Sequence, residues 1–323
     1  MSPRRGRTWD FVSFGSVFLE VVFGHTDKLP RPGEEVFIEE FAFSCGGAVT
    51  SAVAASRGGA AAAVASILGD DLGSALAERL CLAEGVGTDD CLHVKGPVAG
   101  VTVVVNYQGD RAFMTHMPPR PDLEGREAKR WCDVLDALRP RWAYLHAGPE
   151  AVRVVEKARA VGTKVAVDVN FEEIEDFPEA VVECAKLGDL FLPNEEELRR
   201  VTGEGDFNRA LRVASSWSPL VVCKRGGRGA TLAEGGRSVD VTEGVKQVEV
   251  KDLTGAGDAF AGALIGGLAL GASLLEAAAL ANQAGSEAAA RLGASGELDL
   301  PELWRASGQR AASDSGYFRG RAR

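Results

Sequence analysis

The chain has no CxxC pair among its six cysteines and no HxxxH or HxH pair among its four histidines. The first gap argues against a disulfide framework, and the second removes support for a zinc site. A chain of 323 residues builds its core without staples, so the thiols read as reduced and mostly buried. Basic charge is also scarce: 36 Lys+Arg against 46 Asp+Glu leave a net charge of −10. Nucleic acid is therefore disfavoured as the main partner, since a phosphate backbone needs a basic face. No uncharged run exceeds 17 residues (259–275), which is slightly short for a membrane span and reads as a buried helix. The Arg-rich start lacks a following apolar stretch, so a secretory signal is not expected and the expected location is cytoplasmic.

Glycine is abundant instead. It supplies 39 of 323 residues, about 12% against a usual share of about 7%, as an α/β chain with many tight turns requires. Runs rich in Val and Phe at 11–14, 17–23, 36–43, 101–107 and 112–116 are broken by Gly, Pro and Asp and read as strands. A helix over 48–57 and an apolar strand over 61–67 follow the third of the twenties-to-forties segments. From residue 120 helix–strand units repeat: helices 122–138, 149–160, 177–187 and 206–215 each precede an apolar strand, at 142–146, 164–169, 189–192 and 220–223. Continuous apolar strands between amphipathic helices predict a parallel sheet covered on both faces. The pieces 17–43 and 99–117 do not fit that repeat and predict a small β-layer projecting from the main sheet. Two Ala-rich helices, 256–270 and 273–291, close the domain, expected to run over 1–304, and 305–323 reads as a fraying tail.

The segment Asp252-Leu253-Thr254-Gly255-Ala256-Gly257-Asp258-Ala259-Phe260 carries the most chemistry. A β-like run (248–250) leads into two glycines and a long apolar helix. Amides at a helix start are unpaired and partly positive, so they cradle an anion, and glycines let the backbone approach it. Asp258 sets a carboxylate beside that cradle, a pairing that suits phosphoryl transfer to a hydroxyl. A plain turn with a capping aspartate is the alternative for a bare GxGD string.

The nine residues as a set resemble the C-terminal signature of the PfkB/ribokinase family of carbohydrate kinases. Further segments resemble the family in order, from about residue 12 to 296. They are Cys45-Gly46-Gly47 before a helix, 69–73, 29–34, the strand 165–170 ending in Asp-x-Asn, Pro193-Asn194-Glu195-Glu196-Glu197, and Lys224-Arg225-Gly226-Gly227-Arg228-Gly229. The resemblance implies a ribokinase-like, doubly wound α/β fold with a small β-sheet lid. It also implies ATP- and Mg²⁺-dependent phosphorylation of a primary hydroxyl on a sugar or sugar-like acceptor. Asp258 would be the base and the amides of Gly255, Ala256 and Gly257 the anion hole. Asn194 and Glu197 would organise Mg²⁺, although the same pair would also make a capping box. Lys224, Gly226, Gly229, Thr254 and Asn282 would lie along the nucleotide, Lys224 otherwise being a solvated charge. Asp252 would belong to a monovalent-cation (K⁺) element that loses a hydroxyl at Leu253.

The acceptor end departs from the family pattern. Phe18 stands where Asn is common, Glu20 where Asp is common, and Ser51 where an Asn meets the acceptor beyond Gly46 and Gly47; Phe171 and Glu172 replace a frequent Arg. Phe18 either stacks on the acceptor or belongs to the core. Arg111, on a presumed lid turn, is the basic residue expected nearest the acceptor. The apolar lid strands predict a homodimer joined through the lid. A nucleoside kinase of the same fold and a non-catalytic sugar-binding regulator remain the alternatives; a nicotinamide oxidoreductase is disfavoured because no GxGxxG follows the first strand.

Overall fold

The computed structural model describes residues 8–107, 110–119 and 125–293; the expected tail lies outside them. The first half forms β1 (Phe11–Phe14), β2 (Val17–Thr26), β3 (Phe41–Gly47), α1 (Ala48–Arg57), β4 (Ala62–Ala65), β5 (Ile67–Leu68), α2 (Leu72–Ala83), β6 (Leu92–His93), β7 (Gly100–Tyr107) and β8 (Asp110–His116). It continues with α3 (Arg126–Leu138), β9 (Trp142–His146), α4 (Pro149–Ala160), β10 (Lys164–Asp168), α5 (Phe171–Asp176), α6 (Pro178–Leu187), β11 (Leu190–Phe191) and α7 (Glu195–Thr202). Then come α8 (Phe207–Ser215), β12 (Leu220–Lys224), β13 (Ala230–Glu234), β14 (Arg237–Val241), α9 (Ala256–Leu270) and α10 (Leu274–Ala289).

The central sheet has eight strands in the order β14-β13-β12-β11-β10-β9-β1-β4. It is parallel from β4 to β12 and ends in the antiparallel β13–β14 ribbon. Its parallel strands are buried on both faces while β14 is largely exposed, and one apolar cluster forms on each side. One gathers α1, α2, α9 and α10, the other α3, α4 and α6 to α8. This is the doubly wound arrangement expected of uninterrupted apolar strands. All six cysteines are free and buried, and among the described residues no helix is long and apolar enough to cross a membrane.

The second sheet has the order β3-β2-β7-β8, with β2 and β7 parallel and the outer pairs antiparallel. Pairing register separates its two faces. Phe41, Phe43, Val21, Val103 and Met114 fall on one, and Ser44, Glu20, Thr102 and Thr115 form a cross-strand row on the other. Three expectations need correction. Residues 36–40 are irregular, so the third lid strand starts at Phe41 and runs on to Gly47, where it feeds α1 directly. The 61–67 run breaks at Ser66, because β5 leaves the main sheet to pair with β6. The segment 248–250 forms no strand.

Helix α9 positions the site, and its packing explains its composition. It crosses α1 so closely that a Cβ at Gly262 would collide with the Ser51 carbonyl oxygen, while one at Gly266 would sit 3.2 Å from Ala55 Cα. Gly262→Ala therefore forces helix–helix separation. Overpacking of this kind costs about 1–3 kcal/mol, and thermal unfolding should show Tm lowered by roughly 2–8 °C; an unchanged Tm would mean that the helices separate without strain.

Candidate active site

The carboxyl ends of β9, β10 and β12 meet the N-terminus of α9. Gly255 takes φ +72°, a left-handed conformation that turns the chain into the helix. The Ala256 amide donates back to Leu253 O at 3.2 Å, so the anion cradle rests on Gly255 and Gly257, not on all three residues. Lys224 Nζ stands over this turn, 3.6 Å from where a Gly257 Cβ would lie. Thr254 is buried with its hydroxyl oxygen unpartnered. Its amide donates to Asp252 Oδ1 at 2.9 Å, and Gly293 N donates to Asp252 Oδ2 at 3.0 Å. Asp252 thus clamps the approach to α9 and is not brought together with Asn194 and Glu197. Each of its oxygens accepts one amide, which leaves a further lone pair on each.

Lys224 is no surface charge. Its ammonium donates to both Asp168 oxygens at 2.8 Å. Tyr144, fully buried on β9, places its hydroxyl 3.0 Å from Asp168 Oδ2 and 3.2 Å from Asp258 Oδ1. Burial raises the Asp258 pKa, with Asp168 adding to it, while His146, Lys224 and the Tyr144 hydrogen bond pull it down. Burial alone would lower the His146 imidazole, but the carboxylates of Glu173, Asp168 and Asp258 outweigh it and bring it to about 9. Tyr144 and His146 received no role from the sequence. Their two-residue spacing on one strand, which puts both on one face, is the signal that was there to be read.

Asn194 and Glu197 do form a capping box. Asn194 Oδ1 accepts from the Glu196 and Glu197 amides, both at 2.9 Å, and Glu197 Oε2 accepts from the Asn194 amide at 2.7 Å. Both still line the cavity beside the α9 N-terminus, and burial pushes Glu197 up to about 7 against the pull of Lys224. That cavity, about 600 Å³, is also lined by Lys224, Gly226, Gly229, Gly255, Asp258 and Asn282. Asn282 donates both amide hydrogens to Val241 O and Glu243 O, each at 2.9 Å. It braces the cavity wall and has only its oxygen left for a ligand. A second cavity of about 870 Å³ lies under the lid, and Arg111, Val250 and Leu253 line both.

The expected acceptor residues divide. Glu20 is buried, with Oε2 unpartnered, and Ser44 hydrogen-bonds its carboxylate. A Cβ at Gly46 would collide with Glu20 Oε1, so Gly46 is the space that Glu20 occupies. Gly47, at φ +69°, turns β3 into α1. Phe18 is half-buried, its ring against Gly47 and Gly100. Ser51 is fully buried, 3.0 Å from Ser13 Oγ, and donates to Ala48 O. Of the expected acceptor residues Arg111 lines both cavities and Asp258 the smaller one, while Phe18, Glu20, Gly46, Gly47 and Ser51 line neither, Ser51 because α1 turns it into the contact with β1.

A doubly wound sheet, a separate small sheet and a glycine-turned helix start with a half-buried carboxylate beside it define a ribokinase-like α/β fold. The pfkB family carbohydrate kinase profile matches residues 10–301, and the chain belongs to that family of sugar and nucleoside kinases. The bifunctional protein HldE of Caulobacter vibrioides is 28% identical over 303 residues, which cover 86% of this chain but only 59% of HldE. Mouse ribokinase is 25% identical over 275 residues, covering 80% of this chain and 83% of the relative. Among solved structures, adenosine kinase from Sinorhizobium meliloti superposes with TM-score 0.78 at 19% identity, covering 93% and 99% of the two chains. Arabidopsis thaliana ribokinase, complexed with ribose and ATP, gives 0.71 at 20%, covering 96% and 100%.

Glu20 carries a consequence for stability. Burial first, then the charges of Asp258 and Asp252, raise its pKa from 4.5 to about 7. The folded chain therefore holds a proton that the unfolded chain has released, and stability falls as pH rises through that window. Glu20→Gln removes the penalty. Its Tm should match wild type near pH 5 and exceed it at pH 8 by roughly 3–5 °C; equal curves at both pH values would mean that Glu20 is not buried as charge.

Proposed function

We propose that this chain transfers the terminal phosphoryl group of ATP to a primary hydroxyl of a sugar or sugar-like acceptor. The observation that carries the reading is Asp258 in the first turn of α9, beside the Gly255–Gly257 cradle and beneath Lys224. The residues fit a nucleotide: two glycine amides without a partner among the described residues, an ammonium above them and an adjoining cavity. Asp258 accepts the acceptor's hydroxyl proton as that oxygen bonds the phosphorus and the bond to ADP breaks. Lys224 and the cradle amides oppose the charge that gathers on the transferred group. Asn194 and Glu197 would hold Mg²⁺ through water and phosphate, and the ion would neutralise phosphate charge.

On the acceptor side, Glu20 offers an unpartnered oxygen within the row Ser44–Glu20–Thr102–Thr115, where Ser44 hydrogen-bonds the Glu20 carboxylate and the Thr102 and Thr115 hydroxyls bond one another at 3.0 Å. A row of that kind favours a polyhydroxyl acceptor over a flat base, and the packing of Phe18 against two glycines supports its core role over stacking. ADP release measured over a panel of pentoses, hexoses and nucleosides tests this. Asp258→Asn should lower turnover by about 10²–10⁴-fold while calorimetry still detects ATP binding. Turnover within a few-fold of wild type would place the base elsewhere, and no acceptor-dependent ADP release at all would favour a binding protein.

We also propose a homodimer through the lid. The outer lid face carries Phe41 and Phe43, 61% and 59% exposed with rings in edge contact at 5.6 Å, and Met114, 76% exposed. An apolar face of this kind on a soluble chain marks a contact surface. Light scattering should find a particle of two 34.0 kDa chains, and Phe43→Lys should halve it; a wild-type monomer at micromolar concentration would refute the assembly.

A further inference from the structure

We propose that Tyr144 is a positioning residue for the base, its hydroxyl proton held for Asp258 because Lys224 satisfies the competing carboxylate of Asp168. The proposal rests on Asp258 being the base, as read above.

A phenol carries one proton, yet two carboxylates lie within reach of this one, at 3.0 Å and 3.2 Å. Asp168 does not depend on it. Its Oδ1 accepts from Lys224 Nζ at 2.8 Å and from the Val169 amide at 2.9 Å, and its Oδ2 accepts from Lys224 Nζ at 2.8 Å. Asp258 has Tyr144 as its one hydrogen-bond donor among the described residues. Giving the proton to Asp258 therefore leaves no buried acceptor bare, whereas giving it to Asp168 leaves the base without a partner. The phenol cannot swing away: its ring stacks on Phe11 at 6.1 Å, meets His146 edge-on at 6.0 Å, and lies on a strand paired on both sides. Held in this way, the hydroxyl fixes one Asp258 oxygen and leaves the other for the acceptor. It also favours the ionised carboxylate that a base needs, in surroundings where burial and Asp168 favour the neutral acid.

The groups that face Asp258 are Tyr144 and His146 from β9, Asp168 from β10, Lys224 from β12 and Glu20 from β2. Tyr144→Phe removes one oxygen and none of these charges. We expect kcat to fall roughly tenfold with both KM values changed less than twofold, and the acid limb of the kcat profile to move up by about one pH unit. Replacing Tyr144 by 3-fluorotyrosine, a stronger donor, should move the same limb down. A ¹³C titration of the Asp258 carboxyl, assigned with Asp258→Asn, needs no substrate and should show the same two opposite shifts. Should that titration be unmoved in both variants, the proposal fails even for an active kinase. Shifts in the titration of a chain that releases no ADP would uphold the positioning role and overturn the kinase reading instead. A Tyr144→Phe chain with lowered Tm but wild-type kcat and acid limb would make Tyr144 a core residue only.

Discussion

A lysine ammonium and a carboxylate withdrawn from water must satisfy one another closely, because the effective penalty for burying each ion is several kcal/mol. Lys224 and Asp168 meet that demand at the strand ends, and the other site groups are arranged around them. Asp168 gathers two ammonium contacts and an amide. The pair joins β12 to β10 across β11, which is only two residues long. The Lys224 amide donates to Pro193 O at 2.9 Å, which ties the start of α7, and with it Asn194 and Glu197, to the same strand end. Removing either partner leaves an uncompensated buried charge, which typically costs about 3–5 kcal/mol. The pair explains why so many titratable groups coexist here: the ammonium sits among Asp168, Glu197 and Asp258, and each lowers the cost of burying it.

Much of the fold was legible because the apolar strands and their intervening helices carry period and punctuation together. Strands 11–14 and 142–146 fall where sequence places them, and the helix over 256–270 does so to the residue. The misses have separate causes. Helix α2 carries an Asp71 cap that accepts from Ser74 N at 2.9 Å, but its apolar stripe is interrupted, and the β13–β14 ribbon has a Gly235-Gly236 turn between strands of mixed polarity. The 36–43 run has strand composition throughout but pairs with β2 only from Phe41, and before that the backbone bond from Gly24 N to Glu40 O is its one tie to β2 among the described residues.

The site was legible where one segment holds both backbone geometry and chemistry, as 252–258 does. It was not legible where function is assembled across the sheet. Tyr144 sits in an apolar strand and reads as core; only the pairing of β9 with β10, which sets Asp168 opposite His146, puts carboxylates around it. Ser51 misled for the opposite reason. It follows the two glycines at the expected distance, but α1 has to pack against α9 through that turn of helix, and the side chain is turned to Ser13. Asn282 lies at its expected cavity, yet its amide hydrogens close the end of β14.

Glu20 and Gly46 are best understood as one feature. A glutamate reaches one methylene further from β2 than an aspartate, and that length brings its carboxylate past its paired residue Ser44 to Gly46, two residues along β3. Only a residue without a Cβ leaves room there. Burial and the charges of Asp258 and Asp252 raise the proton affinity of Glu20. At neutral pH Glu20 is therefore divided between a form that only accepts hydrogen bonds and one that also donates. An aspartate held back in a wetter position would only accept. Were Glu20 to meet an acceptor as proposed, a carboxyl that can donate as well as accept would select a different pattern of hydroxyl and carbonyl oxygens from one that only accepts.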